Sequence, residues 1–163
     1  MSSDLSANHR KRFFEKLEVF YEFADRLSDL SCCKRMKVGA IILPADFSEV
    51  LAIGYNGPPA GASNDACTEL DPCGCIHAEA NAIIKLDSRG LSNLVMLCTH
   101  PPCWRCAGAI INKRSISRVL VWRDHEKCDG VMSLLQRGIQ VLDRASLLRH
   151  PQPRAWWAHG AGA

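Results

Sequence analysis

Two short motifs, each at the start of a predicted helix, constrain this chain more than any other feature. The first, "HAE", begins at His77, and the second, "PCWRC", covers residues 102–106. Cys103 and Cys106 are three positions apart, so their side chains share one face of a helix. A helix N-terminus favours thiolate over thiol, and so does a bound metal. If the two helix starts meet, one imidazole and two thiolates surround a common point.

This set of three ligands predicts a catalytic zinc site. Three protein ligands leave the fourth position of the zinc tetrahedron open, whereas a structural site is closed by four. Glu79 stands two positions after His77, where a carboxylate can accept a proton from water and pass it on. A lone C-x-x-C also occurs in redox proteins and zinc ribbons. The combined pattern H-x-E…P-C-x-x-C, however, is the signature of zinc-dependent nucleobase deaminases.

Composition limits the classes of protein that fit. The 163 residues include nine cysteines, an odd and high number, and the N-terminus lacks the apolar core of a secretory signal. These features predict metal-binding thiols in a cytoplasmic protein rather than disulfides. No apolar run approaches the ~20 residues that span a membrane. A net charge of +3 argues against a nucleic-acid surface. We expect no membrane and no stable nucleic-acid partner.

The order of predicted elements is a helix, a hairpin, and then strands that alternate with helices. Helices are predicted over 9–30, 77–87, 102–114 and 129–138. Strands are predicted over 37–43, 50–56, 93–99, 117–122 and 139–142. This order favours one three-layer α/β/α domain around a mixed sheet, covering residues 1–145, with a C-terminal tail over 146–163.

Four blocks of the sequence resemble the deoxycytidylate (dCMP) deaminases of the cytidine deaminase superfamily. They are "CKRMKVGAIIL" (33–43), "GYNGPPAG" (54–61), "HAEANAI" (77–83) and "THPPCWRCAGAI" (99–110). The resemblance implies a cytidine deaminase-like fold with a five-stranded mixed sheet flanked by helices. It implies a hydrolase that cleaves the C–N bond of a cyclic amidine, converting dCMP to dUMP for thymidylate supply. It also implies a homo-oligomer, commonly a hexamer, activated by dCTP and inhibited by dTTP.

The resemblance also implies roles for individual residues. His77, Cys103 and Cys106 would bind the catalytic zinc, and Glu79 would shuttle protons. Asn56 would bond the sugar 3′-hydroxyl, although Asn-Gly is also an ordinary turn signal. The pocket for the pyrimidine would be lined by Val38, Gly39, Ala40 and Ala78. Candidates for phosphate or effector contacts are Arg35, Gly54, Tyr55, Gly57, Arg123 and Lys127.

A second metal site is predicted in the loop over 57–75, which is too long to be rigid unaided. Some dCMP deaminases hold a second zinc between this loop and a cysteine that precedes the V-G-A strand. The resemblance assigns Cys33 to that position, with the adjacent Cys32 as the alternative. The loop would supply the other ligands, Cys67, Cys73 and Cys75. Four thiolates form a closed, structural site; the alternative is a set of free or buried thiols.

Other functions stay open from the sequence. The substrate could be dCTP or a 5-modified dCMP, and a base of tRNA or single-stranded DNA is a further alternative. A non-catalytic structural zinc protein, or a redox protein that uses C-x-x-C, would not need Glu79.

Overall fold

A computed structural model describes residues 2–70, 73–123 and 128–149. In chain order the elements are α1 (Ser2–Asp29), β1 (Gly39–Leu43), β2 (Ala52–Tyr55), α2 (Ala78–Lys85), β3 (Leu94–Cys98), α3 (Trp104–Lys113), β4 (Ile116–Val121), α4 (Asp129–Gln136), β5 (Gln140–Asp143) and α5 (Arg144–Arg149). The predicted helices and strands are all present, with ends that differ by a few residues. The exception in length is α1, which begins seven residues earlier than the apolar period indicated, at Ser2 rather than residue 9.

The five strands form one sheet in the order β2-β1-β3-β4-β5. Strand β1, which lies between β2 and β3, runs antiparallel to both neighbours, since Ile41 pairs with Ile53 on β2 and with Leu97 on β3. Strands β3, β4 and β5 are parallel. The connections between parallel strands are α3 and α4, because a parallel pair needs a crossover. The predicted mixed five-stranded sheet is confirmed.

Helices cover both faces of the sheet. Side chains alternate along a strand, so Ile41 and Leu43 pack against the α1 side, whereas Ala40 and Ile42 pack against the side of α2, α3 and α4. All five residues of β1 are buried. This two-sided burial explains why its sequence is a continuous apolar run instead of an alternating one. The three-layer α/β/α architecture is confirmed.

The C-terminal end of the regular structure differs in detail from the expectation. Helix α5 continues the chain to Arg149, and its Leu147 is buried in the core on the α1 side. The predicted domain end at residue 145 therefore falls inside a helix. Residues 150–163 of the predicted tail lie outside the described residues. In the part of the chain that is described, no helix combines the length and the apolar character needed to cross a membrane.

Gly54 permits the close contact between α2 and the sheet. A Cβ at this position would lie 2.1 Å from the carbonyl oxygen of Ala78 and 2.6 Å from the amide nitrogen of Ala82. Both atoms belong to the α2 backbone, so the helix itself would have to move. We expect Gly54→Ala to destabilise the protein by about 1–3 kcal/mol, the usual cost of overpacking. Thermal melting measures this effect.

The matched control is Gly108→Ala, inside α3, where an added Cβ meets no atom within 4 Å. This variant should be as stable as the parent, or more stable by up to about 1 kcal/mol, because alanine is the better helix former. If the two variants have the same melting temperature, the packing argument for Gly54 is wrong.

Candidate active site

The two sequence motifs meet at one edge of the sheet. His77 immediately precedes α2, and Cys103 immediately precedes α3. The Nδ1 atom of His77 lies 3.5 Å from Sγ of Cys103 and 3.4 Å from Sγ of Cys106. The three ligand atoms all lie within 4.8 Å of one another. The structure thus brings together the three residues predicted to bind the catalytic zinc.

Neighbouring contacts hold the two helix starts in place. Helix α3 follows β3, so its first turn emerges at the carboxyl end of an inner strand. On the other side, the backbones of Gly57 and Ile76 form an isolated antiparallel bridge, with N–O distances of 3.1 and 2.8 Å. The Asn81 side chain donates to the carbonyl oxygen of Tyr55 at 2.9 Å. These bonds tie the residues before and within α2 to the end of β2.

The His77, Cys103 and Cys106 set fits a zinc ion. Zinc–nitrogen bonds of about 2.0–2.1 Å and zinc–sulfur bonds of about 2.3 Å place tetrahedral N and S ligands about 3.6 Å apart, close to the two distances above. Burial, followed by the charges of Glu79 and Cys103, raises the pKa of the Cys106 thiol. Cys106 therefore needs a nearby cation to become a thiolate. The donor set and its spacing are those of a zinc centre with one open position.

Glu79 lies in the first turn of α2 with only 3% of its surface exposed. Burial raises the pKa of its carboxyl group, while its backbone hydrogen bond, His77 and the Cys106 thiol act in the opposite direction. A carboxyl group whose pKa is moved toward neutrality is suited to both accepting and releasing a proton. Its position beside the three ligands agrees with the predicted proton carrier.

A cavity of about 320 Å³ opens beside these groups, a volume in the range of small-molecule sites. Its lining contains many of the residues singled out in the sequence: Arg35, Val38, Asn56, His77, Ala78, Glu79 and Cys103. Three cysteines of the predicted second site also line it: Cys33, Cys73 and Cys75.

Several other predicted contact residues do not line this cavity. Gly39 faces α1 instead, since a Cβ there would lie 1.9 Å from the carbonyl oxygen of Ala24. Ala40 is fully buried in the core beneath α2. Outside the lining are also Gly54, Tyr55, Gly57 and Arg123. Lys127 lies outside the described residues. The expectation that Gly39 and Ala40 form the pocket wall is corrected, because both face helices rather than the opening.

Asn56 has a structural task that the sequence did not reveal. Its side-chain oxygen accepts a hydrogen bond from the Val38 amide at 2.8 Å, and its side-chain nitrogen donates to the Met36 carbonyl at 2.7 Å. Asn56 is 5% exposed. It therefore anchors the segment that leads into β1. A carboxamide has two N–H donors, so one remains for a ligand in the cavity.

Four cysteines form a second cluster next to the first. The sulfur atoms of Cys33, Cys67, Cys73 and Cys75 lie within 4.8 Å of one another. Cys33 and Cys73 are 3.9 Å apart, which is far beyond a disulfide bond and close to the ~3.8 Å between two thiolates of a zinc tetrahedron. Burial raises the pKa of the Cys75 thiol, and hydrogen bonds from the other three thiols add to it. The donor set fits a zinc ion with four protein ligands.

The structure also distinguishes between the two candidates before β1. Cys33 points into the four-cysteine cluster, whereas Cys32 is not part of it. Cys32 instead lies near Gly57, with its sulfur 3.8 Å from where a Cβ of that glycine would be. The two cysteines therefore cannot exchange places without a shift in the backbone.

Three lining residues were not anticipated: Met36, His100 and Pro101. All three lie inside blocks that were quoted for the resemblance. A single histidine at the end of a strand has no spacing signal of its own, so the sequence offered no reason to select His100.

The fold and the site together define a class: an α/β/α protein with a His-Cys-Cys metal centre and a buried glutamate, the arrangement of zinc-dependent deaminases. The sequence model of the cytidine and deoxycytidylate deaminase zinc-binding region matches residues 14–122. This chain belongs to the cytidine and deoxycytidylate deaminase family.

Within this family, the chain is similar to several proteins named as deoxycytidylate deaminases. Deoxycytidylate deaminase of Mycobacterium phage D29 is 31% identical over 119 residues, which are 63% of this chain and 91% of that protein. Deoxycytidylate deaminase of Schizosaccharomyces pombe is 31% identical over 137 residues, 75% of this chain, but this chain spans only 42% of that protein's length. The crystal structure of cyanophage S-TIM5 dCMP deaminase in complex with dCMP and dUMP aligns with a TM-score of 0.67 at 31% identity, covering 79% and 96% of the two chains.

Proposed function

We propose that this chain catalyses the hydrolytic deamination of dCMP to dUMP and ammonia. The observation that carries the proposal is the buried carboxyl of Glu79 beside the His77, Cys103 and Cys106 set, in the lining of a cavity of small-molecule size. The similarity to deoxycytidylate deaminases supports the choice of substrate, since the cyanophage relative was crystallised with dCMP and dUMP.

In this mechanism His77, Cys103 and Cys106 would hold a zinc ion. When bound, zinc supplies Lewis-acid chemistry that makes water a stronger nucleophile at neutral pH. Glu79 accepts a proton from the attacking water and delivers it to N3 of the cytosine ring. It then carries the second proton to the departing amino group. A C–O bond forms at C4, the C–N bond breaks, and the two protons of water end on N3 and on ammonia.

The cavity lining suggests how the nucleotide is held. We assign the sugar 3′-hydroxyl to the remaining N–H of Asn56, and the faces of the base to Val38 and Ala78, which also line the cavity. Arg35, at the cavity wall, is the candidate for charge on the phosphate. Arg123 follows β4 and adds positive potential in this region, although it is outside the lining.

We propose that the second cluster binds a structural zinc through Cys33, Cys67, Cys73 and Cys75. Cys75 stands two residues before His77, so an ion at this cluster would order the segment that delivers His77 to the catalytic centre. The site is a closed set of four soft ligands without room for water. Its binding free energy would contribute to folding.

A substrate panel tests the proposed reaction. The purified, zinc-loaded protein is incubated with dCMP, dCTP, 5-methyl-dCMP, cytidine, cytosine and a cytosine-containing single-stranded oligonucleotide, and ammonia release is measured. We expect dCMP to have the highest kcat/KM. A higher kcat/KM for dCTP or for 5-methyl-dCMP would show that the protein is a deaminase whose preferred substrate is not dCMP. Deamination of the oligonucleotide alone would support the nucleic-acid alternative, and no ammonia from any substrate would support a structural zinc protein.

We also propose a cytoplasmic homohexamer regulated by dCTP and dTTP, in line with the family resemblance. The nine unpaired cysteines support a reducing compartment. The initial rate plotted against dCMP concentration should be sigmoidal, become hyperbolic with dCTP, and fall with dTTP. A hyperbolic curve that responds to neither nucleotide would remove the regulatory proposal and leave the deaminase proposal intact.

A further inference from the structure

His100 joins the substrate cavity to the interior of the sheet. Its ring lines the cavity, and its Nδ1 atom lies 3.1 Å from the hydroxyl oxygen of Thr99. Thr99 is 1% exposed, and its hydroxyl oxygen accepts a hydrogen bond from the Gly39 amide at 3.1 Å. The Thr99 amide in turn donates to the Gly39 carbonyl at 3.0 Å. The Thr99 hydroxyl is therefore fixed by β1 on one side and contacts the His100 ring on the other.

This arrangement sets the tautomer of His100. A hydroxyl has one proton to donate, and among the described residues His100 Nδ1 is the acceptor within hydrogen-bond distance of Thr99. Burial first, and then the charge of Arg123, lower the pKa of His100, with Asp25 acting in the opposite direction. A lowered pKa favours the neutral ring, and a neutral ring that accepts the Thr99 hydroxyl proton at Nδ1 carries its own proton on Nε2. In the described part of the chain, Nε2 has no hydrogen-bond partner.

The charges around the cavity indicate which part of a ligand the His100 Nε2–H group would contact. At the metal end, Glu79 and the cysteine ligands are acidic groups, which would repel the phosphate of a nucleotide. Apart from the metal ligand His77, the basic residues in the lining are Arg35 and His100. Arg123 lies close enough to His100 to influence its pKa. With the amino group of the base at Glu79, the basic side chains Arg35 and His100 are the groups of the lining that suit the phosphate.

We propose that His100 is a substrate-binding residue whose Nε2–H donates to a phosphate oxygen of the nucleotide, and that Thr99 is the residue that positions it. The inference rests on the proposed function, because it assumes a nucleoside monophosphate as substrate. It adds a specificity determinant: a buried hydroxyl selects the imidazole tautomer that recognises the 5′-phosphate.

The test compares ligands that differ only in the phosphate. Steady-state kinetics with dCMP and deoxycytidine, and inhibition by dUMP and deoxyuridine, are measured for the parent and for four variants: His100→Ala, His100→Gln, Thr99→Val and Thr99→Ser. His100→Ala should lower kcat/KM for dCMP by about 10- to 100-fold, mainly through KM, as expected for a lost hydrogen bond to a charged group. Its effect on deoxycytidine turnover and on inhibition by deoxyuridine should be within about twofold.

The conservative variants separate binding from packing. His100→Gln keeps a side-chain N–H near the position of Nε2 and should recover part of the loss. Thr99→Val should raise KM for dCMP about 3- to 10-fold with kcat retained, whereas Thr99→Ser, which keeps the hydroxyl, should match the parent. Zinc content and melting temperature are measured on every variant. Because Thr99→Val also leaves the buried Gly39 amide without its partner, its melting temperature should fall, and its effect is read from the ratio of dCMP to deoxycytidine kinetics, which a general loss of stability does not change.

The results that overturn the inference are distinct from those that overturn the function. If the parent deaminates dCMP but His100→Ala weakens dUMP and deoxyuridine equally, His100 does not contact phosphate. Equal kinetics for Thr99→Val and Thr99→Ser would remove the positioning role. If the parent fails to deaminate dCMP at all, the proposed function itself is wrong.

Discussion

Glu79→Gln is expected to abolish nearly all deaminase activity while zinc stays bound. Glutamine keeps the size and the hydrogen-bonding capacity of glutamate but cannot accept the proton of water. A positioned general acid–base group contributes about 10²- to 10⁴-fold to a rate, and Glu79 handles both proton transfers. We therefore expect kcat for dCMP to fall by at least that factor, with a much smaller change in KM.

Stability provides an independent readout for the same variant. Burial raises the pKa of Glu79 in the folded state. When the pKa of a carboxyl group is higher in the folded state than in the unfolded state, the folded state loses stability as the pH rises through the interval between the two pKa values. Glutamine has no charge to bury, so the melting temperature at neutral pH should be equal to or above that of the parent. Loss of activity through misfolding would lower it.

The matched control is Glu49→Gln, which makes the same chemical change at an exposed position between β1 and β2. It should have parental kcat, zinc content and melting temperature. Glu79→Gln with near-parental turnover would refute the mechanism, because no other carboxylate lines the cavity among the described residues.

Cys75→Ser should reduce the metal content from two zinc ions per chain to one. Serine preserves the size of the side chain but is a poor ligand for zinc, so three thiolates would remain in an open site. A structural zinc ion stabilises the fold directly, and a loss of even about 3–5 kcal/mol would lower the melting temperature by roughly 6–20 °C for a chain of this length. Activity should fall as well, because Cys75 precedes His77 by two residues.

Cys32→Ser is the matched control for Cys75→Ser. Cys32 adjoins Cys33 in sequence but is outside the four-cysteine cluster, so this variant should keep both zinc ions and the parental melting temperature. Metal content by mass spectrometry and melting by calorimetry would measure both variants. A parent protein with one zinc ion, together with a Cys75→Ser variant that melts like the parent, would show that the cluster is a group of buried thiols.

Local sequence determined the chemistry of the catalytic centre. The three-residue interval between Cys103 and Cys106 places both thiols on one helix face, and the two-residue interval from His77 to Glu79 places both at one helix start, because a helix has a fixed period. The pattern of apolar residues likewise determined the order of helices and strands along the chain. These features depend on neighbours along the chain, so they could be predicted from the sequence.

The tertiary structure decided which distant residues meet. Cys33 rather than Cys32 joins the loop cysteines, because the direction of each side chain depends on how the segment before β1 is held against Asn56. Gly39 faces α1, whereas His100 lines the cavity with its Nδ1 atom 3.1 Å from the Thr99 hydroxyl oxygen. Each of these outcomes depends on how a segment is oriented against a partner that is distant in the sequence. A rotation of one position would reverse them all, and no local spacing in the sequence encodes that orientation.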